Sequence, residues 1–109
     1  MRRFETGATR DAADCKPRYS GYLSPAVIQA YGRYMMRHQA CADGTFREPD
    51  NWKKGIPESA YLDSLVRHMV DLWRGSEDET LTTELTEELC CAIMFNVMGL
   101  LYERLKSGP

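Results

Sequence analysis

Apolar positions along the chain fall into three runs of helical period, separated by stretches that keep no period. Val27, Ile28, Tyr31, Tyr34 and Met35 follow Ser24-Pro25 at steps of three and four. Serine is a good N-cap and proline suits a first helical turn, so a helix is predicted over about 25–40. A second run opens at Pro57-Glu58-Ser59 and places Tyr61, Leu65, Met69, Leu72 and Trp73 on one arc, with Gly75 predicted to end it. A third helix is predicted from Glu79 or Thr80 to Lys106, with Gly108 and Pro109 beyond its end. At ~1.5 Å per residue it is about 40 Å long, more than a small bundle covers. The surplus apolar surface on Ala92, Ile93, Met94, Phe95, Val97, Met98, Leu100 and Leu101 points to helices from a second copy. No strand pattern or internal repeat stands out. The predicted fold is all-α: one domain over residues 1–109, with an extended arm at 1–22 and a three-helix core at 23–109, completed by dimerisation or higher homo-oligomerisation.

The stretches between the runs carry information of their own. Residues 1–22 are rich in Gly, Thr, Asp, Arg and Lys and read as an arm whose order depends on what it touches. CADGTFREPDNWKKGIP, residues 41–57, holds two glycines, two prolines and the turn pairs Asp43-Gly44 and Pro49-Asp50. Structureless loops of that length in small domains are usually functional or disordered, and this one contains a tryptophan and two lysines.

Composition narrows the partners. Fourteen basic and sixteen acidic residues give a formal charge of -2, so no global field draws the chain to polymeric nucleic acid or an anionic membrane. No segment reaches ~18 consecutive apolar residues, and the amino terminus lacks a signal-like apolar run. The four cysteines at 15, 41, 90 and 91 show no CxxC spacing and are read as reduced thiols. A cytoplasmic location is expected.

Two places carry candidate chemistry. His68 and Asp71 lie three residues apart beside the apolar arc of the second helix, where they can share a cation, a water or only a hydrogen bond. On the third helix Glu88, Ala92, Asn96 and Gly99 form one stripe at steps of four, four and three. A buried unpaired carboxylate costs several kcal/mol, so Glu88 must reach solvent, find a cationic partner or bind a metal. Asn96, an amide deep in an apolar helix, needs partners worth roughly 1–3 kcal/mol. Glu87 can face water.

These residues resemble the all-α nucleoside triphosphate pyrophosphohydrolases of the MazG-like group, which carry EExxE on one helix and ExxD on the next and hold divalent metal between them. Here the corresponding stretches read RHMVD at 67–71 and ELCC at 88–91. Arg67 and His68 stand at the paired glutamates, Asp71 at the third, Glu88 matches, and Cys91 replaces the final aspartate. A closer resemblance runs along most of the chain, through RRFETGATRD, YLSPAVIQAYGRYM, ADGTFREPDNWKKGIP, YLDSLVRHMVDLWRG and LCCAIMFNVMGLLYERL, to the amino-terminal domain of dATP/dGTP diphosphohydrolases common in phage genomes.

That resemblance implies an all-α fold, a dimer, a phage origin and a deoxypurine triphosphate, dATP or dGTP, cleaved to a monophosphate and pyrophosphate. It implies Mg or Mn held by His68, Asp71 and Glu88, with Asp71 and Glu88 as the catalytic pair. Arg10, Asn51, Trp52, Lys54 and Asn96 are then the nucleotide-binding residues, with Trp52 stacking on the base and Lys54 or Arg10 neutralising phosphate. Arg2, Arg3, Thr6 and Thr9 add donors around Gly7, although the arm lacks the GxxxxGK[ST] of a P-loop. Because two carboxylates remain of five, the rival is a protein that binds a nucleotide without hydrolysing it, such as one sequestering a host immune signalling nucleotide.

Overall fold

Ser24 and Thr82 cap the amino ends of two helices with their side chains. In the computed structural model, which describes residues 2–10 and 15–108, the Ser24 hydroxyl accepts from the Val27 amide at 3.3 Å and Thr82 Oγ1 accepts from the Leu85 amide at 3.0 Å. The side chains of Arg2 and Arg10 lie outside the described part. In chain order the elements are β1 (Arg2–Arg3), β2 (Thr9–Arg10), α1 (Tyr19–Tyr22), α2 (Pro25–Arg37), a 3₁₀ turn (Asn51–Lys54), α3 (Glu58–Glu77) and α4 (Thr83–Ser107). The all-α expectation holds for the body of the chain.

Three local readings are corrected. The arm contains a small antiparallel ladder, Arg2 opposite Arg10 and Arg3 opposite Thr9, closed by the Phe4 amide on the Ala8 carbonyl at 2.8 Å. Two-residue strands are too short to leave a period in sequence. Gly75 does not end the second helix, which runs on to Glu77. It is buried under Leu81, whose Cδ2 would lie 2.6 Å from a Cβ added there, so the glycine serves helix–linker approach. The next helix begins at Thr83 rather than 79 or 80, because the Thr80 amide turns back to the Gly75 carbonyl at 2.9 Å and leaves Thr82 as the cap.

Helices α3 and α4 form an antiparallel hairpin along a narrow seam. Ala92, Asn96 and Gly99 of the stripe read from the sequence are buried in it. Gly99 meets the Tyr61 ring: a Cβ there would stand 2.3 Å from two ring carbons, so only glycine admits the tyrosine. One turn earlier Asn96 Nδ2 donates to Ser64 Oγ at 3.2 Å and to the Ala92 carbonyl at 2.9 Å. The amide thus fastens the register of the hairpin. Helix α2 crosses the amino-terminal half of α4, where Tyr34, Cys91 and Ala92 form a small core with Tyr31, Met35 and Phe95 against it. Burial pushes the Tyr31 hydroxyl up to about 12, with Tyr34 and Cys91 adding to the shift. Burial likewise raises the Cys91 thiol, which keeps it protonated and a poor nucleophile. All four cysteines are free thiols.

The molecule is extended. Its radius of gyration is 18.8 Å, where a chain of this length in one compact domain has about 13 Å. The predicted arc of α3 splits accordingly: Tyr61 is buried, Leu65 and Leu72 are half-buried, and Met69 and Trp73 are exposed. By length and composition α4 is apolar enough to cross a membrane, a test that core helices of soluble proteins also pass.

Candidate functional site

The segment joining α2 to α3 is more ordered than its composition predicts. After α2 the chain reverses through a turn in which the Cys41 amide bonds the Thr45 carbonyl at 2.8 Å, and Asp43 accepts from the Thr45 amide and hydroxyl at 3.0 and 2.7 Å. Gln39 and Arg47 then pair twice: the Arg47 amide donates to the Gln39 carbonyl at 2.7 Å, and Gln39 Nε2 donates to the Arg47 carbonyl at 3.1 Å. Arg47 Nη1 also donates to the His38 carbonyl at 3.0 Å, closing the carboxyl end of α2.

NWKKGIP follows as a 3₁₀ turn that ends at Gly55, whose φ of 121° suits glycine. Its seating on α4 comes from two contacts. Trp52 packs edge-on against Tyr102 and Phe95, with ring centroids 4.8 and 6.3 Å away. Glu103 accepts from the Ile56 amide at 3.2 Å. Hydrogen bonds from Lys106 and from that amide hold the Glu103 carboxyl below its ordinary range. Arg104 pairs with Glu58 at the start of α3.

Between this segment and α2 lies a cleft of about 620 Å³. Tyr34, Met35, Trp52, Ile56 and Phe95 form its apolar walls; His38, Gln39, Arg47, Glu48 and Asn51 supply its polar groups. That size and lining are those of a small-molecule site. Arg47 has five N–H donors, so the bond to His38 leaves capacity for an anion.

Beside the cleft α2 is clamped to α4 by charge. Arg37 Nη2 donates to Glu88 Oε2 at 2.9 Å and His38 Nε2 to Glu88 Oε1 at 3.1 Å, while Arg33 reaches Glu87 at 3.6 Å. A carboxylate only accepts, which places a proton on His38 Nε2. Burial alone would raise the Glu88 carboxyl, but the hydrogen bonds from Arg37 and His38 outweigh it and hold the group below its ordinary value.

The residues singled out by sequence therefore separate. Asn51 and Trp52 line the cleft. Lys54 is exposed on the 3₁₀ turn and is not among the lining residues. Asn96 is spent on the α3–α4 seam. Arg10 enters only as backbone in β2, its side chain lying outside the described residues. Asp71 is exposed on α3, and His68 is half-buried with an Nδ1 that has no hydrogen-bond partner.

Nor do His68, Asp71 and Glu88 converge: among the described residues no three His, Cys, Asp or Glu side chains are grouped to hold a metal. Hard Mg or Mn takes a cage of oxygens, and both Glu88 oxygens already accept hydrogen bonds, from Arg37 and from His38. The described donor set does not fit such an ion. Of the cleft residues Tyr34, His38, Gln39, Arg47 and Phe95 were missed. The signal within reach was the basic pair Arg37-His38 ending the first helix, since Glu88 needed a cationic partner.

With its helical body, its aromatic and basic cleft and the NWKKGIP turn in place, the chain is a small all-α domain with a small-molecule cleft. It belongs to the family described as dATP/dGTP diphosphohydrolase, N-terminal, whose pattern it matches over residues 8–106. No curated protein and no solved structure matches it.

Proposed function

We propose that this domain binds a purine nucleotide of the dATP/dGTP class in the cleft between α2 and the segment that follows it. The observation that carries the reading is the union of an aromatic wall, Trp52 with Tyr34 and Phe95, and the donors of Arg47, Gln39 and Asn51 around one cavity of nucleotide size. Trp52 offers stacking to a base, worth ~1–3 kcal/mol. Asn51 is the side chain suited to reading a base edge, and Arg47 is suited to phosphate through charge-assisted hydrogen bonds. Glu48 disfavours an anion on its side of the cleft and so gives the ligand a direction. Capture without turnover is supported by the engagement of Glu88 with Arg37 and His38 and by the exposed, separate position of Asp71.

The second reading, hydrolysis to a nucleoside monophosphate and pyrophosphate, is favoured by the family's description. Calorimetric titration with dATP, dGTP and pyrimidine controls, beside pyrophosphate release with and without Mg or Mn, separates the two. Binding without release supports capture. Release abolished by Glu88→Gln supports the enzyme and overturns capture. In the binding assay Trp52→Ala is expected to weaken purine affinity at least about tenfold through lost stacking. Unchanged affinity in that variant would remove the ligand from this cleft.

A further inference from the structure

Helix α3 presents three faces. At about 100° per residue, Tyr61, Ser64, Leu65, His68 and Gly75 share the side turned to α4 and the linker, and all are buried or half-buried. A second row, Leu62, Val66, Met69, Val70 and Trp73, spans three turns and is solvent-exposed, with Trp73 at 69%. A third row beside it is charged and alternates in sign: Asp63, Arg67, Asp71, Arg74. The first three of these make no ion pair among the described residues, and Arg74 reaches only Asp78, at 3.3 Å.

We propose that the apolar row of α3 is the interface with a second copy of this chain, packed antiparallel across a two-fold axis near Met69. The charges specify this occupant. In an isologous contact residue i meets j while j meets i. An axis near Met69 sets Asp63 opposite Arg74 of the partner subunit and Arg67 opposite Asp71 of the partner subunit. The same axis brings Leu62 toward Trp73 of the partner subunit and Val66 toward Val70 of the partner subunit. A parallel two-fold would carry the two charged rows to opposite sides of the contact, where they do not meet, and is disfavoured.

Exposed area agrees. The chain exposes 8871 Å² at a mass of 12.5 kDa, where a folded monomer of that mass exposes about 6,200 Å². The difference, about 2,700 Å², is ample for the ~800 Å² per partner that a stable interface buries. Lipid is the poorer occupant, because four charges lie along the row within three turns. This proposal stands apart from the nucleotide reading and gives Asp71 a role in assembly.

Sedimentation velocity and light scattering on the full chain test it. The wild type is expected to show a concentration-dependent mass of two chains. Asp71→Arg creates two like-charge contacts per dimer and should raise the dissociation constant at least about tenfold. Adding Arg67→Asp to Asp71→Arg restores opposite signs and should restore the dimer. Both positions are exposed, so circular dichroism should show unchanged helix content in each variant. A monomeric wild type, a dimer indifferent to Asp71→Arg, no recovery in the double variant, or capture of the wild type on lipid vesicles would overturn the proposal.

Discussion

The α3–α4 seam and the α2 clamp are both polar contacts between helices, but they are built on opposite principles. In the seam an uncharged amide, a hydroxyl and a bare glycine are enclosed, and geometry does the work: the Tyr61 ring lies where a Gly99 side chain would be. In the clamp, an ion pair and an imidazole hydrogen bond on one carboxylate lie at the surface, with Arg37, His38 and Glu88 side chains 43–50% exposed. A dry contact tolerates no added atom, whereas a wet one tolerates many but responds to pH and salt. The cleft lies beside the wet contact.

The sharpest way to break this contrast is at Gly99. Gly99→Ala gains about 1 kcal/mol of helix propensity but drives a methyl into an immobile ring, so a net loss of at least about 2 kcal/mol is expected in chemical denaturation. A double-mutant cycle with Tyr61→Leu should show strong coupling; additivity would mean the ring is not the obstacle. Next comes Asn96→Ala, which removes the hydrogen bond to Ser64 across the seam and the one to the Ala92 carbonyl within α4 and should cost about 1–3 kcal/mol, with the same midpoint shift at low and high salt.

A smaller effect, but the one that sharpens the comparison most, is expected at Glu88. Its carboxyl is held below its ordinary value in the folded chain, so the stability it contributes is fully present above the unfolded value of about 4.3 and is lost as pH falls through the lower folded value. For a pair this exposed the gain is about 0.2–1 kcal/mol. Glu88→Gln should therefore flatten part of the acid limb of a stability–pH curve and reduce its salt dependence, while Asn96→Ala should leave both unchanged. Smallest of all, Lys54→Ala lies outside both contacts and should shift stability by no more than about 0.5 kcal/mol. A larger loss would give the 3₁₀ turn an anchor beyond Trp52 and Glu103.

Much of the fold was legible because helix signals are local. The cap at Ser24 and the 3.6-residue period of the apolar positions need only neighbours in sequence to be read, whereas the start of the last helix at Thr83, set by the Thr80 amide folding back on Gly75, was not legible. The stripe Ala92, Asn96, Gly99 was legible too, since a polar group at a core-facing position announces that it must be satisfied. The loop was misread as structureless because its order rests on Glu103 and Tyr102, some fifty residues away. The candidate site fared less well: Asn51 and Trp52 fall in the cleft, while Arg47 carries no local mark of its place in it and His38 is marked only by ending the first helix beside Arg37.

Sequence alone determined where α2 and α3 start, which stripe of the last helix is enclosed, and that Glu88 required an answer to its charge. Tertiary structure decided which answer it received. A carboxylate at that position is equally suited to a cation from metal, from α3 or from α2, and the choice depends on how helices distant in the chain dock. Docking turned Arg37 and His38 onto Glu88 and left Asp71 on an outer face, because packing Tyr34 over Cys91 and Ala92 fixes the crossing of α2 and α4.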